Sequence, residues 1–322
     1  MPEERNYRID NIRAVLIILV LIGHLTEVIP YQNSDFIYHL IYIFHMPGFA
    51  VLSGLCWSVL KREQIWKKLV YPYVIFQTLY VMFSRFVLKD EIPLQYTTPY
   101  WLMWYLFALI QWEMIASVIP FTKKNTGKII LCALIVALMC GFDNDIGYFL
   151  SLSRMLVLFP FFIAGVCLRE FPKVLSAKPK QWMIVAAVVC LTICIMLVWH
   201  SYKKIQNIWL YHSFSYQTAE YTMGVRGGIL ILAVVILVSL LVLIPNVRVR
   251  WMSYLGQNTM PIFLLHGFIV RWMGLYRSLW NRPHYKLVIL LMIVILMLLI
   301  LSSRFVVALM KPLMSWPLKQ RS

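Results

Sequence analysis

Apolar runs of about 20 residues recur along the whole sequence, and they constrain the fold more than any other feature. A run of this length, folded as an α-helix, crosses a hydrocarbon layer roughly 30 Å thick. The chain has 322 residues, of which 61% are hydrophobic and 13% are charged, whereas roughly a quarter of the residues in a soluble domain are charged. The sequence therefore predicts an all-α, polytopic membrane helix bundle with little room for a soluble domain.

We predict about ten membrane-spanning helices in a single integral-membrane domain, residues 1–322. Several runs contain Pro, Gly or polar residues, which bundled membrane helices tolerate because neighbouring helices re-satisfy the backbone. The predicted spans are residues 11–30, 36–59, 68–88, 100–119, 128–142, 149–168, 181–199, 225–244, 256–275 and 286–310.

Lysine and arginine are concentrated on one side of this even-span arrangement. Roughly two thirds of them lie in the segments RNYR, KREQIWKK, KKNTGK, REFPKVLSAKPK, NVRVR and KQRS or close to these. Opposite loops such as VIPYQNSDF and GFDNDIGY carry acidic residues and almost no basic ones. Because basic loops remain in the cytoplasm, we predict that both termini are cytoplasmic. The net charge of +17 then reflects topology and attraction to anionic lipid, and it does not indicate nucleic acid binding.

The six cysteines all lie within apolar spans and have no metal-ligand spacing. Their usual role in such places is that of small core residues. We therefore expect no metal site.

Within the first span, the stretch RAVLIILVLIGH begins with Arg13 and ends with His24. Eleven residues of helix turn through almost three full turns, so the two side chains share one face. Asp10 and Glu27 lie three residues outside this pair and continue the same polar stripe. Such a stripe faces a bundle interior or a wet cavity and not lipid, and ionisable groups at membrane depth are functional candidates.

A neutral imidazole suits general-base chemistry. Glu27 either orients the His24 ring or is an exposed acid at the helix end. Arg13 either holds the phosphates of a donor molecule or extends to the membrane surface. The spacing suits a donor that enters from the cytoplasm and reacts in the outer half of the bilayer.

At these residues the chain resembles the integral-membrane acyltransferase-3 family, in the branch typified by fucose 4-O-acetylase-like proteins. The resemblance extends over essentially the whole chain. Its motifs are YRIDNIRAVLIILVLIGH (7–24), FHMPGFAVLSG (44–54), WYLFALI (104–110), RMLVLFPFFIAG (154–165) and LGQNTMPIFLLHGF (255–268).

The resemblance implies transfer of an acetyl group from acetyl-CoA to a hydroxyl of a cell-surface glycan or its lipid-linked precursor, in a bacterial plasma membrane. It implies that His24 is the catalytic histidine, as a general base or a transient acyl carrier. Arg13, with Asp10 beside it, would handle the donor. No soluble hydrolase-like domain follows the last span, so we expect the chain to accept its substrate unaided or to pass the acyl group to a separate protein.

Two further histidines lie within the apolar spans. His45 precedes a Pro-Gly pair that we expect to break the helix and expose backbone to a cavity, so it is either a ligand of donor or sugar or a hydrogen-bonded structural residue. His266, in LLHGF, is a candidate substrate-binding residue.

The remaining candidates would bind the acceptor. Trp104 and Tyr105 either line a substrate path or belong to an interfacial aromatic belt. Arg154 and Arg226 each begin a span as cations in apolar surroundings, and each is a candidate ligand of an anion or a sugar. The aromatic-rich loop 199–228 suits a sugar as well as it suits such a belt.

A transporter of a glycan precursor or a small anion is the alternative function. Transporters often have repeated halves with broken helices in matching positions, and the sequence has no such repeat. A membrane module that serves another enzyme is a third alternative. The sequence leaves the oligomeric state open, including a homodimer.

Overall fold

A computed structural model describes residues 6–58, 62–122, 125–280 and 285–315. These residues form helices and contain no β-strand, as the hydropathy pattern predicts. Parts of the basic segments used above, at residues 5, 61, 123–124 and 319–321, lie outside the described residues.

The described part of the chain contains twelve α-helices of eight or more residues. They are α1 (Tyr7–Val28), α2 (Ser34–Leu55), α3 (Tyr71–Phe83), α4 (Trp104–Val118), α5 (Thr126–Met139), α6 (Leu152–Arg169), α7 (Gln181–Ser201), α8 (Met223–Leu243), α9 (Arg250–Gln257), α10 (Thr259–Leu275), α11 (Lys286–Leu301) and α12 (Arg304–Met314). Wider π-helical turns, Trp66–Val70 and Ser84–Leu88, continue α3 at its two ends. Shorter turns and helices are Arg62–Ile65, Trp101–Met103, Cys140–Phe142, Phe149–Ser151, Pro172–Ser176, Asn207–Leu210 and Arg277–Trp280.

The count of ten spans is not confirmed, although a helix lies in each of the ten predicted segments. Six helices among the described residues are long and apolar enough to cross a membrane, or seven if α11 and α12, bent by 65° at their junction, form one span. Thr126–Phe142 and Thr259–Leu275 are apolar but shorter. The chain is therefore a multi-pass membrane protein in which several predicted spans are short, bent or broken.

Helix α1 is central to the bundle. It packs against α2 on one side and against α9, α10 and α11 on another. Its aliphatic residues Leu16, Ile17 and Leu21 are fully buried, because neighbouring helices cover most of its surface. A central α1 places the polar stripe of this helix inside protein.

Helices α2 and α6 cross with their backbones in contact. A Cβ added to Gly54 would clash with the carbonyl oxygen of Phe162, and one added to Gly165 would clash with that of Val51. Small residues permit such close approach in membrane helix packing.

Buried Arg8 joins the segments at the end of the bundle where α1 begins. Its guanidinium donates to the carbonyl oxygens of Ile244 (2.9 Å), Leu175 (2.9 Å) and Ala177 (3.0 Å). The start of α1 and two of the basic segments therefore lie at the same end of the bundle, as the even-span arrangement predicts.

Candidate active site

A cavity of about 500 Å³ lies among α1, α2, α4, α6 and α10, beneath the loop between α7 and α8. Seven of the predicted site residues line it: Arg13, His24, Glu27, His45, Trp104, Tyr105 and Arg154. The fold thus brings together residues from four helices that are distant in sequence.

Tyr42 connects His24 to Glu27. Its hydroxyl donates to Glu27 Oε1 (2.6 Å) and lies 2.9 Å from His24 Nδ1. The direct distance from His24 Nδ1 to Glu27 Oε1 is 3.9 Å, which is too long for a hydrogen bond. Glu27 is therefore linked to the His24 ring through the Tyr42 hydroxyl and not by a direct hydrogen bond.

This chain of hydrogen bonds fixes the tautomer of His24. The one proton of the Tyr42 hydroxyl is donated to the carboxylate, so the oxygen accepts from Nδ1–H of His24. In a neutral imidazole Nε2 then carries the lone pair. Nε2 has no hydrogen-bond partner among the described residues, and the residue borders the cavity.

Two aromatic rings hold His24 in place besides Tyr42. The centroid of Trp101 lies 5.1 Å and that of His266 lies 5.4 Å from the His24 ring. His266 therefore packs against the His24 ring and is not among the residues that line the cavity.

His45 and His266 are held in the same way by their own helices. Nδ1 of His45 donates to the Ile41 carbonyl (2.9 Å), and Nδ1 of His266 donates to that of Ile262 (3.0 Å). Each Nε2 is therefore an acceptor. That of His266 is buried without a partner in the described part of the chain.

Arg13 and Arg154 lie at opposite ends of the cavity. Arg13 donates to Cys56 Sγ (2.7 Å), just beyond the last residue of α2. Arg154 donates to the Tyr211 carbonyl (3.0 Å), and the Tyr211 hydroxyl bonds that of Tyr38 near the start of α2. Neither arginine forms a salt bridge within the described residues, so both charges are available to a ligand.

Asp10 and Arg226 lie away from the cavity. Asp10 is buried where α1 meets α9, with its backbone carbonyl against Gly256. Arg226 is fully buried and donates to the Tyr221 hydroxyl and to the carbonyl oxygens of Ala137 and Phe214. The geometry gives Arg226 a structural role, namely to tie the loop before α8 to the end of α5.

Three residues that the sequence did not single out belong to the site: Tyr42, Trp101 and His212. Tyr42 lies three residues before His45, on the same helix face, and this spacing was available in the sequence. Trp101 and His212 have left-handed backbones (φ 39° and 54°), which are uncommon for such residues. Loop geometry of this kind leaves no pattern that sequence reasoning detects.

No group of three or more His, Cys, Asp or Glu side chains in the described ranges is arranged to hold a metal ion. All six cysteines are unpaired.

In this membrane helix bundle a histidine and two arginines that form no salt bridge within the described residues surround one cavity, an arrangement that suits group transfer. Comparison with known proteins identifies the class. The acyltransferase-3 model, described as an acyltransferase domain, matches residues 6–303. The chain belongs to this family, which confirms the resemblance of its motifs, and the protein is a multi-pass membrane acyltransferase.

Two nodulation proteins named NolL are similar to the chain. That of Mesorhizobium japonicum is 25% identical over 318 residues, which cover 86% of this chain and 80% of that protein. That of Sinorhizobium fredii is 40% identical over 55 residues, or 16% of this chain and 15% of that protein. No solved structure matches the chain significantly.

Proposed function

We propose that the protein transfers an acetyl group from cytoplasmic acetyl-CoA to a hydroxyl of a cell-surface glycan or its lipid-linked precursor. The observation that supports this function most is the hydrogen-bonded chain from His24 through Tyr42 to Glu27. In these hydrogen bonds Nδ1 of His24 donates to Tyr42, so Nε2 is left as the base beside the cavity.

In the proposed reaction, Nε2 of His24 takes the proton of the acceptor hydroxyl as its oxygen attacks the thioester carbonyl carbon. The C–S bond then breaks, and the imidazolium returns the proton to the leaving thiolate of CoA. The Tyr42–Glu27 pair stabilises the positive charge that His24 carries between these steps. If His24 instead carries the acyl group transiently, Nε2 attacks the thioester carbonyl carbon, the C–S bond breaks and CoA leaves as the thiolate. The acceptor hydroxyl then attacks the acyl-imidazole and its proton goes to the CoA thiolate, while the N–C bond breaks and Nε2 regains its lone pair.

The Arg13 end of the cavity suits the donor. An arginine without a carboxylate partner binds phosphates through charge-assisted hydrogen bonds. Arg13 and His24 are separated by eleven residues of helix, a rise of about 16 Å, and the extended pantetheine arm of CoA would lie along it. Asp10, one turn before Arg13, remains a prediction for donor handling.

The opposite end suits the acceptor. Trp104, Tyr148 and Tyr211 line it together with Arg154, and aromatic faces are good surfaces for sugar rings. With acetyl-CoA at the Arg13 end, both termini would be cytoplasmic and the glycan would lie outside a bacterial plasma membrane. Membership of an acyltransferase family sets the transporter alternative aside.

A transfer assay tests the proposal. We would incubate the purified protein in nanodiscs with radiolabelled acetyl-CoA and extracted surface glycan, and measure base-labile label in the glycan. His24→Ala should lower transfer by about 10²-fold or more while the protein still inserts and elutes as wild type. His200→Ala, which alters an exposed histidine at the end of α7, should transfer as wild type.

Wild-type transfer by His24→Ala would remove His24 from the chemistry, and absence of any transfer or CoA release would contradict the donor assignment. Acid quenching in the first turnover separates the two mechanisms. Label trapped on wild-type protein but absent from His24→Ala identifies an acyl-histidine. Its absence during active turnover identifies a general base.

A further inference from the structure

Arg154 is held rigidly at its end of the cavity while its terminal amino groups remain free. Nε donates to the Tyr211 carbonyl (3.0 Å). The guanidinium carbon lies 5.0 Å from the Trp104 ring centroid and 5.2 Å from that of Tyr148. The two Nη groups have no hydrogen-bond partner among the described residues. Cation–π contacts and one fixed N–H thus leave the two Nη groups, with four N–H donors, for a ligand.

The charge of Arg154 is not balanced by the part of the chain that the structure describes. Glu27 is the only carboxylate among the described residues that line the cavity, and it already accepts a hydrogen bond from the Tyr42 hydroxyl. A cation surrounded by protein is costly unless it is paired. The unpaired charge therefore indicates a negatively charged ligand.

Arg226 is an arginine with a structural role, and its hydrogen-bond donors are used within the protein. Its Nε, Nη1 and Nη2 all donate, to the Tyr221 hydroxyl and to two backbone carbonyls. Its guanidinium lies 4.5 Å from the Tyr216 ring. Arg154, on α6, has one such acceptor among the described residues, the Tyr211 carbonyl, so we attribute the difference between the two arginines to a difference of role.

His212 adds a second unsatisfied group beside Arg154. Its backbone is left-handed (φ 54°) and its carbonyl accepts from Ser153 Oγ (2.7 Å), which fixes the loop against α6. Both ring nitrogens are buried and lack a partner among the described residues. Burial, with Arg226 and Arg154 nearby, lowers the pKa of His212 to about 3. The ring is neutral at pH 7 and offers one donor and one acceptor, which suits a hydroxyl.

We propose that the glycan acceptor carries a carboxylate or phosphate group, that Arg154 binds this group, and that His212 hydrogen-bonds a neighbouring hydroxyl. This inference rests on the proposed function, because it places the acceptor at the Arg154 end. A bidentate pair with Arg154 fixes the sugar by its charge and presents a different hydroxyl to Nε2 of His24. An acidic sugar supplies the carboxylate, and a phosphodiester or a lipid-linked precursor supplies the phosphate.

The test compares native glycan with two chemically neutralised forms in the transfer assay. In one form the carboxylates are reduced to alcohols, and in the other the phosphodiesters are removed. Wild-type enzyme should show a KM at least about tenfold higher for one of these forms, and that form identifies the charged group. Arg154→Gln should raise the KM for native glycan by a similar factor. The KM of this variant should be the same for native glycan and for the neutralised form. The KM for acetyl-CoA should stay within about twofold of the wild-type value.

Arg154→Lys keeps the charge and should recover part of the affinity, which a purely structural role would not predict. Arg271→Gln removes a half-exposed cation paired with Asp90 outside the cavity and should behave as wild type. His212→Gln should raise KM for native and neutralised glycan alike.

Equal KM values of wild type for all three glycans would overturn this inference and leave the proposed function standing. A raised KM of Arg154→Gln for acetyl-CoA would also overturn it, because the anion would then belong to the donor. Absence of His24-dependent label in every glycan would overturn the proposed function and this inference together.

Discussion

At Tyr42, a single conservative substitution to Phe removes the hydroxyl group and leaves the ring. In Tyr42→Phe the ring remains stacked on Tyr38, 3.9 Å between centroids, while the link between His24 and Glu27 is lost. We expect kcat to fall on the order of 10²-fold with little change in either KM, because the base loses its orientation and its counter-charge. Steady-state transfer kinetics measure this.

Tyr73→Phe is the matched control for Tyr42→Phe. Tyr73 is equally buried, and its hydroxyl donates to the Tyr96 carbonyl (2.7 Å) away from the Tyr42–Glu27 pair. Its kcat should remain near that of wild type. A Tyr42→Phe enzyme with wild-type kcat would show that Glu27 takes no part in catalysis.

The residues of the site differ in how far the sequence predicts them. His24 and Arg13 stand out because ionisable groups are rare in apolar helices. Tyr42 does not, because aromatic residues are common throughout this chain, and only its position opposite His24 gives it a role. His212 and Trp101 depend on loop conformations. Buried Gln77 shapes the loop before Trp101 by donating to the Gln95 carbonyl (2.7 Å), and such long-range bonds are invisible in sequence.

At the scale of the elements, the crossing of α2 and α6 depends on glycine. Gly165→Ala places a methyl group against the Val51 carbonyl, so the helices must separate. We expect a loss of about 1–3 kcal/mol of stability and reduced transfer, because α2 carries Tyr42 and His45 into the cavity. Thermal unfolding in detergent, followed by tryptophan fluorescence, measures the lower Tm.

Gly228→Ala provides the comparison for Gly165→Ala. No atom lies within 4 Å of the added methyl group, and alanine in a helix is favoured over glycine by about 0.5–1 kcal/mol. This variant should be as stable as wild type or slightly more stable. Equal Tm values for the two variants would contradict the importance of the crossing.

At the scale of the whole molecule, the distribution of Lys and Arg predicts which end of the bundle faces the cytoplasm. We expect a cysteine that replaces Lys204, in a cysteine-free background, to react with an impermeant maleimide on intact cells. A cysteine at Lys178 should react only after permeabilisation. Both lysines are exposed, so the two variants differ in their end of the bundle and not in accessibility. The reverse pattern would invert the proposed topology.

The helical class follows from hydropathy, but the number of spans does not. Composition marks where apolar helices occur, and a helix is present in each predicted segment. It does not reveal that α11 turns by 65° into α12 or that π-helical turns flank α3. Helix breaks of this kind are stabilised by neighbouring helices, so they depend on the packed bundle and not on local sequence.

The arginine at each end of the cavity also bears on the permeability of the membrane. A polar passage through hydrocarbon is a path for ions, and a leak of protons would dissipate the gradient from which a cell draws its energy. A fixed positive charge in a narrow passage repels protons and metal cations. Because Arg13 and Arg154 place a positive charge at each end of the cavity, we expect the cavity to exclude protons and metal cations, so that a substrate site within the bilayer does not conduct them.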